Sequence, residues 1–270
     1  MTARRRATAD AERTARAFGV KDLFTAFNIA CGTLAIAFCV EGEVLYAAYA
    51  FLVGYFFGDA LDGTVARLTN TENRFGGQLD QIGDHLAQCV VPAAMVFTFF
   101  HRVPVVWAGR DLSFPLATGL AMCLMISGSI RHARSTTAAM NFPLAWVGMP
   151  RTVSALLVLS SPHSANLARL PRFELLGALL VVAVSIANLV PLPYRTHRGR
   201  ALRWAWAKVL VAAFFVTTVG ALLVVPRQVF DVAFAWLVGY SALSWTELTR
   251  DERREFFERT RAWSLELRAR

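Results

Sequence analysis

Four of the chain's nine aspartates, Asp59, Asp62, Asp80 and Asp84, fall within 26 residues, each at the end of a strongly apolar run. Ionised carboxylates at membrane depth are costly, so such residues mark functional sites by default. Asp59, Asp62, Gly63 and Ala66 follow i, i+3, i+4, i+7 spacing and share one helix face; Gly76, Asp80 and Asp84 follow i, i+4, i+8 and form a stripe on the next helix. Where those faces meet, four carboxylates converge, and two like charges about 4 Å apart repel by about 4 kcal/mol even at an effective dielectric of about 20. Arg67 flanks the stripes, and one cation cannot neutralise four anions. An all-oxygen ligand set of this kind favours hard divalent cations such as Mg²⁺, Mn²⁺ or Ca²⁺, and two ions sharing carboxylates clamp phosphoryl oxygens. Aspartates scattered over helix ends are the plainer alternative. Gly63, Ala66 and Gly76 clear side chains from the same faces, which makes room for a ligand or for tight helix packing; spacing alone leaves both open.

The elements that must position these residues are membrane helices. The 270 residues are 56% hydrophobic and 17% charged, against about 25% charged in a soluble domain. Apolar runs near residues 23–40, 44–67, 80–100, 114–134, 145–161, 173–193, 206–225 and 229–246 predict an all-α polytopic bundle of about eight transmembrane helices. The formal charge of +9 could suggest nucleic acid, but the basic residues bunch beside apolar runs. With alternate loops on opposite sides, 22 Lys and Arg fall on one side and 5 on the other. By the positive-inside rule both termini and the aspartate end of the bundle face the cytoplasm, as in a multi-pass protein of the inner (plasma) membrane, and no nucleic-acid partner is expected. Residues 1–20 and 250–268 read as basic amphipathic helices suited to anionic headgroups, with Phe256, Phe257, Trp263 and Leu267 on the apolar side of the second. Cys31, Cys39, Cys89 and Cys123 sit in apolar runs without a CxxC pair, which argues against a disulfide framework or a zinc site. A cleaved signal peptide is a poor reading of the first run, because Glu41-Gly42-Glu43 makes a poor cleavage site.

The full string is Asp59-x2-Asp62-Gly63-x2-Ala66-Arg67-x8-Gly76-x3-Asp80-x3-Asp84. It resembles the signature of the CDP-alcohol phosphotransferase family at every position, spacer included. The resemblance implies a membrane enzyme that moves the phosphoalcohol part of a CDP-alcohol onto a hydroxyl, releasing CMP, at a site holding two divalent cations, Mg²⁺ or Mn²⁺, with Ca²⁺ a non-productive occupant. It implies Asp59, Asp62, Asp80 and Asp84 as metal ligands and Asp84 as the base for the acceptor hydroxyl. Asp62, Gly63, Ala66, Arg67 and Gly76 would then line the nucleotide pocket. Thr25-x2-Asn28-x3-Gly32 is similar to the nucleotide-side stripe of the bacterial phosphatidylserine synthase branch, and adds Thr25 and Asn28. Ile130-Arg131-x2-Arg134, Asn141-Phe142 and Gly148-Met149-Pro150 resemble the arginine pair and Gly-Leu-Pro segment of that branch. They make Arg131, Arg134 and the following Arg151 candidates for a carboxylate or a lipid phosphate, with simple interfacial anchoring as the alternative for the pair. Met149 in place of Leu, Arg151 after the proline, and Gln81-Ile82-Gly83 and His85 around the last aspartates depart from the pattern.

These likenesses imply transfer of the phosphatidyl group of CDP-diacylglycerol to L-serine, with membrane phospholipids as surroundings and a homodimer as the assembly. The expected organisation is a basic segment 1–21, a membrane core 22–200 containing the six-helix catalytic unit, two additional helices in 201–248 and a basic tail 249–270. Glycerol phosphate, inositol phosphate or choline are competing acceptors. A prenyltransferase would keep its two aspartate motifs on well-separated helices, and a cation transporter would place acids at mid-bilayer on several helices; neither matches carboxylates grouped at the ends of consecutive spans.

Overall fold

The computed structural model describes residues 19–61, 74–137, 140, 142–196, 205–244 and 248–269. The expected amphipathic helix at the N-terminus lies outside them up to residue 18, as do Asp62, Gly63, Ala66 and Arg67. Helix α1 (Val20–Val40) opens where the Gly19 N–H donates to Asp22 Oδ2 at 2.8 Å, a carboxylate in the first turn where the helix dipole favours it. Helix α2 (Val44–Gly54) runs into a π turn, Tyr55–Asp59. Helix α3 (Arg74–His85) continues through a second π turn, Leu86–Val90, into α4 (Val91–His101). Two short strands, β1 (Val106–Trp107) and β2 (Arg110–Asp111), pair around Ala108 and Gly109, both at positive φ, and lead to α5 (Ser113–Thr137). Strand β3 (Ala145–Val147), α6 (Arg151–Ser160), α7 (Phe173–Leu189) and β4 (Pro193–Arg195) follow, then α8 (Ala205–Val224), α9 (Val229–Leu243) and α10 (Arg250–Ala269).

Each of the eight expected apolar runs contains a helix. Val20–Val40, Phe75–His101 and Ser113–Thr137 are long and apolar enough to cross a membrane, and Val44–Asp59, Phe173–Leu189 and Lys208–Val224 are shorter apolar helices. The distribution of side chains on α1 shows which solvent it meets. Its buried residues are Asp22, Thr25, Asn28, Cys31, Gly32, Ala35 and Cys39, while Leu23, Phe27, Leu34 and Val40 point outward. Polar and small groups inside with large apolar groups outside is the arrangement a hydrocarbon solvent requires. Likewise α7 buries Ser185 and Asn188 and exposes Leu175, Leu179 and Ile186. The chain folds as a polytopic membrane helical bundle.

One run differs from expectation. The apolar stretch from residue 145 is helical only from Arg151, because Ala145–Val147 pair antiparallel with Pro193–Arg195 and Gly148, at φ 76°, turns the chain. Pro150 then fixes the N-cap, and a proline there cannot sit within an earlier helical turn. At 1.5 Å per residue α6 is about 15 Å long, half of a bilayer core. Helix α7 ends at Leu189 rather than 193, ahead of Pro191 and Pro193.

The chain divides into two units, residues 1–95 and 96–270. In the first, α2 and α3 pack on α1. In the second, a buried polar chain joins three helices: the Ser154 hydroxyl of α6 donates to Asn188 Oδ1 of α7, and Asn188 Nδ2 donates to the Ser127 hydroxyl of α5. Buried polar groups linked in this way fix the register of the helices that carry them.

Candidate active site

In the first unit, one carboxylate oxygen from each of Asp59, Asp80 and Asp84 lies within 4.8 Å of the other two. All three side chains are half-buried. The i, i+4 spacing of Asp80 and Asp84 sets both on one face of α3, and Asp59 arrives from the end of the π turn after α2. Gln88 holds the group together: its Nε2 donates to Asp84 Oδ1 at 3.0 Å and to Asp59 Oδ2 at 3.3 Å. An amide brings hydrogen bonds but no charge, so Gln88 orders these carboxylates without neutralising them. Three converging hard oxygen donors suit a divalent ion. The acidic cluster therefore fits a metal, and Asp59, Asp80 and Asp84 are the described residues that would hold it.

Both π turns of the unit carry site residues, Asp59 in one and Gln88 in the other. A π turn adds a residue to the helical repeat and swings the side chains beyond it to a new face, and such turns concentrate at functional sites. Asp59 closes the first turn, and Gln88, four residues after Asp84, lies within the second and reaches both Asp84 and Asp59. Tyr55, at the start of the first turn, lies in the field of Asp59 and Asp84.

What brings the carboxylates together is close backbone packing. A Cβ on Gly58 would stand 2.8 Å from Asn28 Cβ and 3.0 Å from both Asn28 N and Phe24 O. A Cβ on Gly54 would stand 2.7 Å from Cys31 Cβ and 3.0 Å from Asn28 Oδ1. Gly54 and Gly58, four residues apart, thus let α2 and its π turn lie directly on the Asn28 face of α1, the small-xxx-small contact of membrane helices. Gly83 does the same for α3, where a Cβ would stand 3.0 Å from Ile29 Cγ1 and 3.4 Å from Thr25 Cγ2. Thr25 and Asn28 are therefore buried between the two aspartate-bearing elements, beside Asp59 and Asp84 in sequence through Gly58 and Gly83. Gly76 sits one turn before Asp80 on α3. Asp22 continues the Thr25 stripe by one turn; it is fully buried, and its Oδ1 has no hydrogen-bond partner.

The arginines of the second unit meet main-chain carbonyls. Arg131 Nη1 donates to Val147 O, and Arg134 Nη1 donates to Leu189 O at 3.0 Å, the last residue of α7. A cation at a helix C-terminus satisfies an orphan carbonyl and complements the dipole. Arg151 contacts His132 Nδ1. Arg131 is mostly buried, and its Nε, itself buried, has no hydrogen-bond partner. Sequence reasoning missed Gln88, Asp22 and the packing roles of Gly54, Gly58 and Gly83. Gln88 continues the Gly76, Asp80, Asp84 stripe by four residues, a signal that was present in the spacing.

A sequence model of the family described as CDP-alcohol phosphatidyltransferase matches residues 20–242. The chain is 30% identical over 138 residues to a protein of Helicobacter pylori (strain J99) named CDP-diacylglycerol–serine O-phosphatidyltransferase, covering 51% of this chain and 54% of that one. It is 25% identical over 194 residues to a protein of the same name from Methanocaldococcus jannaschii, covering 72% of this chain and 82% of that one. A third protein of that name, from Mycobacterium leprae, is 28% identical over 136 residues, or 50% of this chain and 43% of its own length. The chain thus spans about half the length of the first of these curated relatives.

Proposed function

The chain belongs to the CDP-alcohol phosphatidyltransferase family, and from that premise we propose that it transfers the phosphatidyl group of CDP-diacylglycerol to the hydroxyl of L-serine, giving phosphatidylserine and CMP. The observation that carries this reading is the convergence of Asp59, Asp80 and Asp84 within 4.8 Å, from two elements packed on one helix, with Gln88 bridging them. The names of the relatives point to serine as the acceptor.

The roles follow from the chemistry. Divalent cations, Mg²⁺ or Mn²⁺, bound by Asp59, Asp62, Asp80 and Asp84, would supply charge neutralisation for the diphosphate and the leaving CMP. Asp84 takes the proton of the serine hydroxyl, whose oxygen forms a bond to the phosphorus carrying diacylglycerol as the bond to the CMP oxygen breaks. Gln88 acts as a positioning residue, keeping the Asp84 carboxylate turned towards Asp59. Thr25, Asn28, Asp62, Gly63, Ala66, Arg67 and Gly76 line the nucleotide pocket. Arg131, Arg134 and Arg151 bind the serine carboxylate or the lipid phosphate, and the unpartnered, buried Nε of Arg131 is the donor that favours this role for it. Residues 22–200 form the catalytic membrane core, with 201–248 and the tail 249–270 as additions. The site and both termini face the cytoplasm in the inner membrane, among phospholipids, in a homodimer.

The test is a product assay with purified protein, CDP-diacylglycerol and Mn²⁺ or Mg²⁺, offering serine, glycerol phosphate, inositol phosphate and choline in turn. Phosphatidylserine from serine alone is expected. Turnover with another acceptor and none with serine overturns the acceptor, and release of CMP with none of them overturns the transfer.

A further inference from the structure

Helix α10 divides its circumference among three kinds of side chain. One side is seated on the protein: Phe256 is fully buried against Phe142, Ala145 and Leu248, the Thr260 hydroxyl reaches Met140 Sδ at 3.6 Å, and the Arg259 guanidinium stands 5.8 Å from the Phe142 ring centre. At 100° per residue, Arg250, Arg254, Phe257, Arg261 and Leu265 fall within about 80° of arc on a second side, all of them exposed. Asp251, Glu255, Glu258 and Glu266 occupy a third side, about as wide, also exposed. The basic and acidic sides flank the outward pole of the helix, each about 130° from the buried one.

Arg250, Arg254 and Arg261 share a side with the exposed Phe257 and Leu265, at 48% and 57% exposure, while Arg253 lies nearer the buried side and Arg259 pairs with Glu255 at 2.6 Å on the acidic flank. A helix surrounded by water alone has no reason to combine three arginines with large apolar groups in one arc free of acids. An anionic lipid surface supplies that reason: headgroup charge pairs with the arginines, and the acyl boundary takes the phenyl and isobutyl groups between them. The position agrees. Six residues separate the end of the apolar helix α9 from the start of α10, a span of at most about 25 Å along an extended chain, so α10 starts near a membrane interface. Arg254 pairs with Glu258 at 2.9 Å, but both are largely exposed, and a pair of that kind is weak enough to yield to a lipid phosphate.

We propose that the Arg250, Arg254, Phe257, Arg261, Leu265 side of α10 is a docking surface for the anionic lipids of the membrane in which the protein resides, leaving the acidic side to water. Each arginine near an anionic surface shifts the seating equilibrium about fivefold, and three shift it about a hundredfold. Because the opposite side of α10 grips Met140, Phe142 and Ala145, lipid contact also braces the segment that leads through β3 to Arg151.

The experiment places a fluorescent probe on that side of the full-length protein. Cys123 is the exposed cysteine and the other three are buried, so a Cys123→Ser, Leu265→Cys variant takes a single bimane label. The labelled protein is reconstituted into phosphatidylcholine vesicles, with or without about 30% phosphatidylglycerol, and quenched with a phosphatidylcholine spin-labelled near the headgroup. Quenching at least about threefold greater in the anionic vesicles is expected, falling to the neutral level at about 0.5 M salt. Arg250→Gln, Arg254→Gln, Arg261→Gln combined should give the neutral level without added salt. Equal quenching in both vesicles, or none in either, overturns the proposal. The salt series uses the unaltered arginines, so it decides even if the triple variant fails to fold. None of these readouts depends on which acceptor the enzyme uses.

Discussion

The aspartate site of the first unit and the arginine group of the second handle charge in opposite ways. Asp59, Asp80 and Asp84 bring three carboxylates within 4.8 Å of one another around a neutral amide, an oxygen-rich cluster that fits a divalent cation. Arg131, Arg134 and Arg151 are like charges as well, but two of them are tied to the carbonyl oxygens of Val147 and Leu189 and the third to His132. Main-chain carbonyls order a guanidinium without cancelling its charge. The first arrangement fits a cation; the second is a set of cations already oriented by the protein, with the buried Arg131 Nε lacking a hydrogen-bond partner. The difference teaches where loss should be felt. A carboxylate variant should remove chemistry, and an arginine variant should weaken either ligand capture or the frame, depending on which donor it removes.

The largest expected effect is that of Asp84→Asn, which keeps shape and hydrogen bonding but cannot take a proton. Turnover should fall by about 10²- to 10⁴-fold, the range of general-base loss, while CDP-lipid binding, followed by equilibrium dialysis of labelled substrate, should stay within a few-fold. A variant with near-normal turnover would break the contrast at its chemical end. Next comes Arg131→Gln, for which the Michaelis constant of the acceptor should rise about tenfold or more with kcat changed less, since charge-assisted hydrogen bonds to a buried guanidinium contribute about 1.5–3 kcal/mol.

Gly58→Ala tests the packing beneath the carboxylates. Its methyl would meet Asn28 backbone and Cβ at 2.8–3.0 Å, where nothing can rotate away, so overpacking should lower stability by about 1–3 kcal/mol and displace Asp59. Gly220→Ala, with nothing within 4 Å, should leave both thermal unfolding and turnover unchanged, and equal losses in the two variants would show that the close approach is not what matters. The smallest effect belongs to Arg134→Gln. Loss of its bond to the C-terminal carbonyl of α7 should cost about 0.3–1 kcal/mol, visible as a lower midpoint of thermal unfolding with the acceptor Michaelis constant little changed. A large rise in that constant would assign Arg134 to the acceptor carboxylate rather than to the lipid phosphate.

Much of this was legible from residue types and spacing. The second aspartate stripe is visible on α3, which carries Gly76, Asp80 and Asp84 at the i, i+4 repeat; of the first, Asp59 joins the cluster and Asp62, Gly63 and Ala66 lie outside the described residues. Each of the eight apolar runs contains a described helix. What spacing could not show has physical causes. A π turn leaves no mark in composition, so the two turns that carry Asp59 and Gln88 were invisible, although Gln88, four residues after Asp84 among apolar neighbours, was a clue. Gly54 and Gly58 lie in a run where small and large apolar residues score alike, and only the facing α1 shows that a methyl has no room. Ala145–Val147 is apolar whether it forms helix or strand, and Pro150 was the one residue that separated the two. The arginines bind carbonyl oxygens, which every residue possesses, so no sequence pattern could name their partners.

The central claim is that the convergent carboxylates form a divalent-cation site, and Mn²⁺ binding to the purified protein followed by electron paramagnetic resonance addresses it without requiring substrate. Saturable loss of the free Mn²⁺ signal is predicted for the unaltered chain. Asp59→Asn and Asp80→Asn should each abolish it, and Asp111→Asn, on the exposed β2 strand, should not. No saturable binding, or binding that survives both Asp59→Asn and Asp80→Asn, would contradict the account.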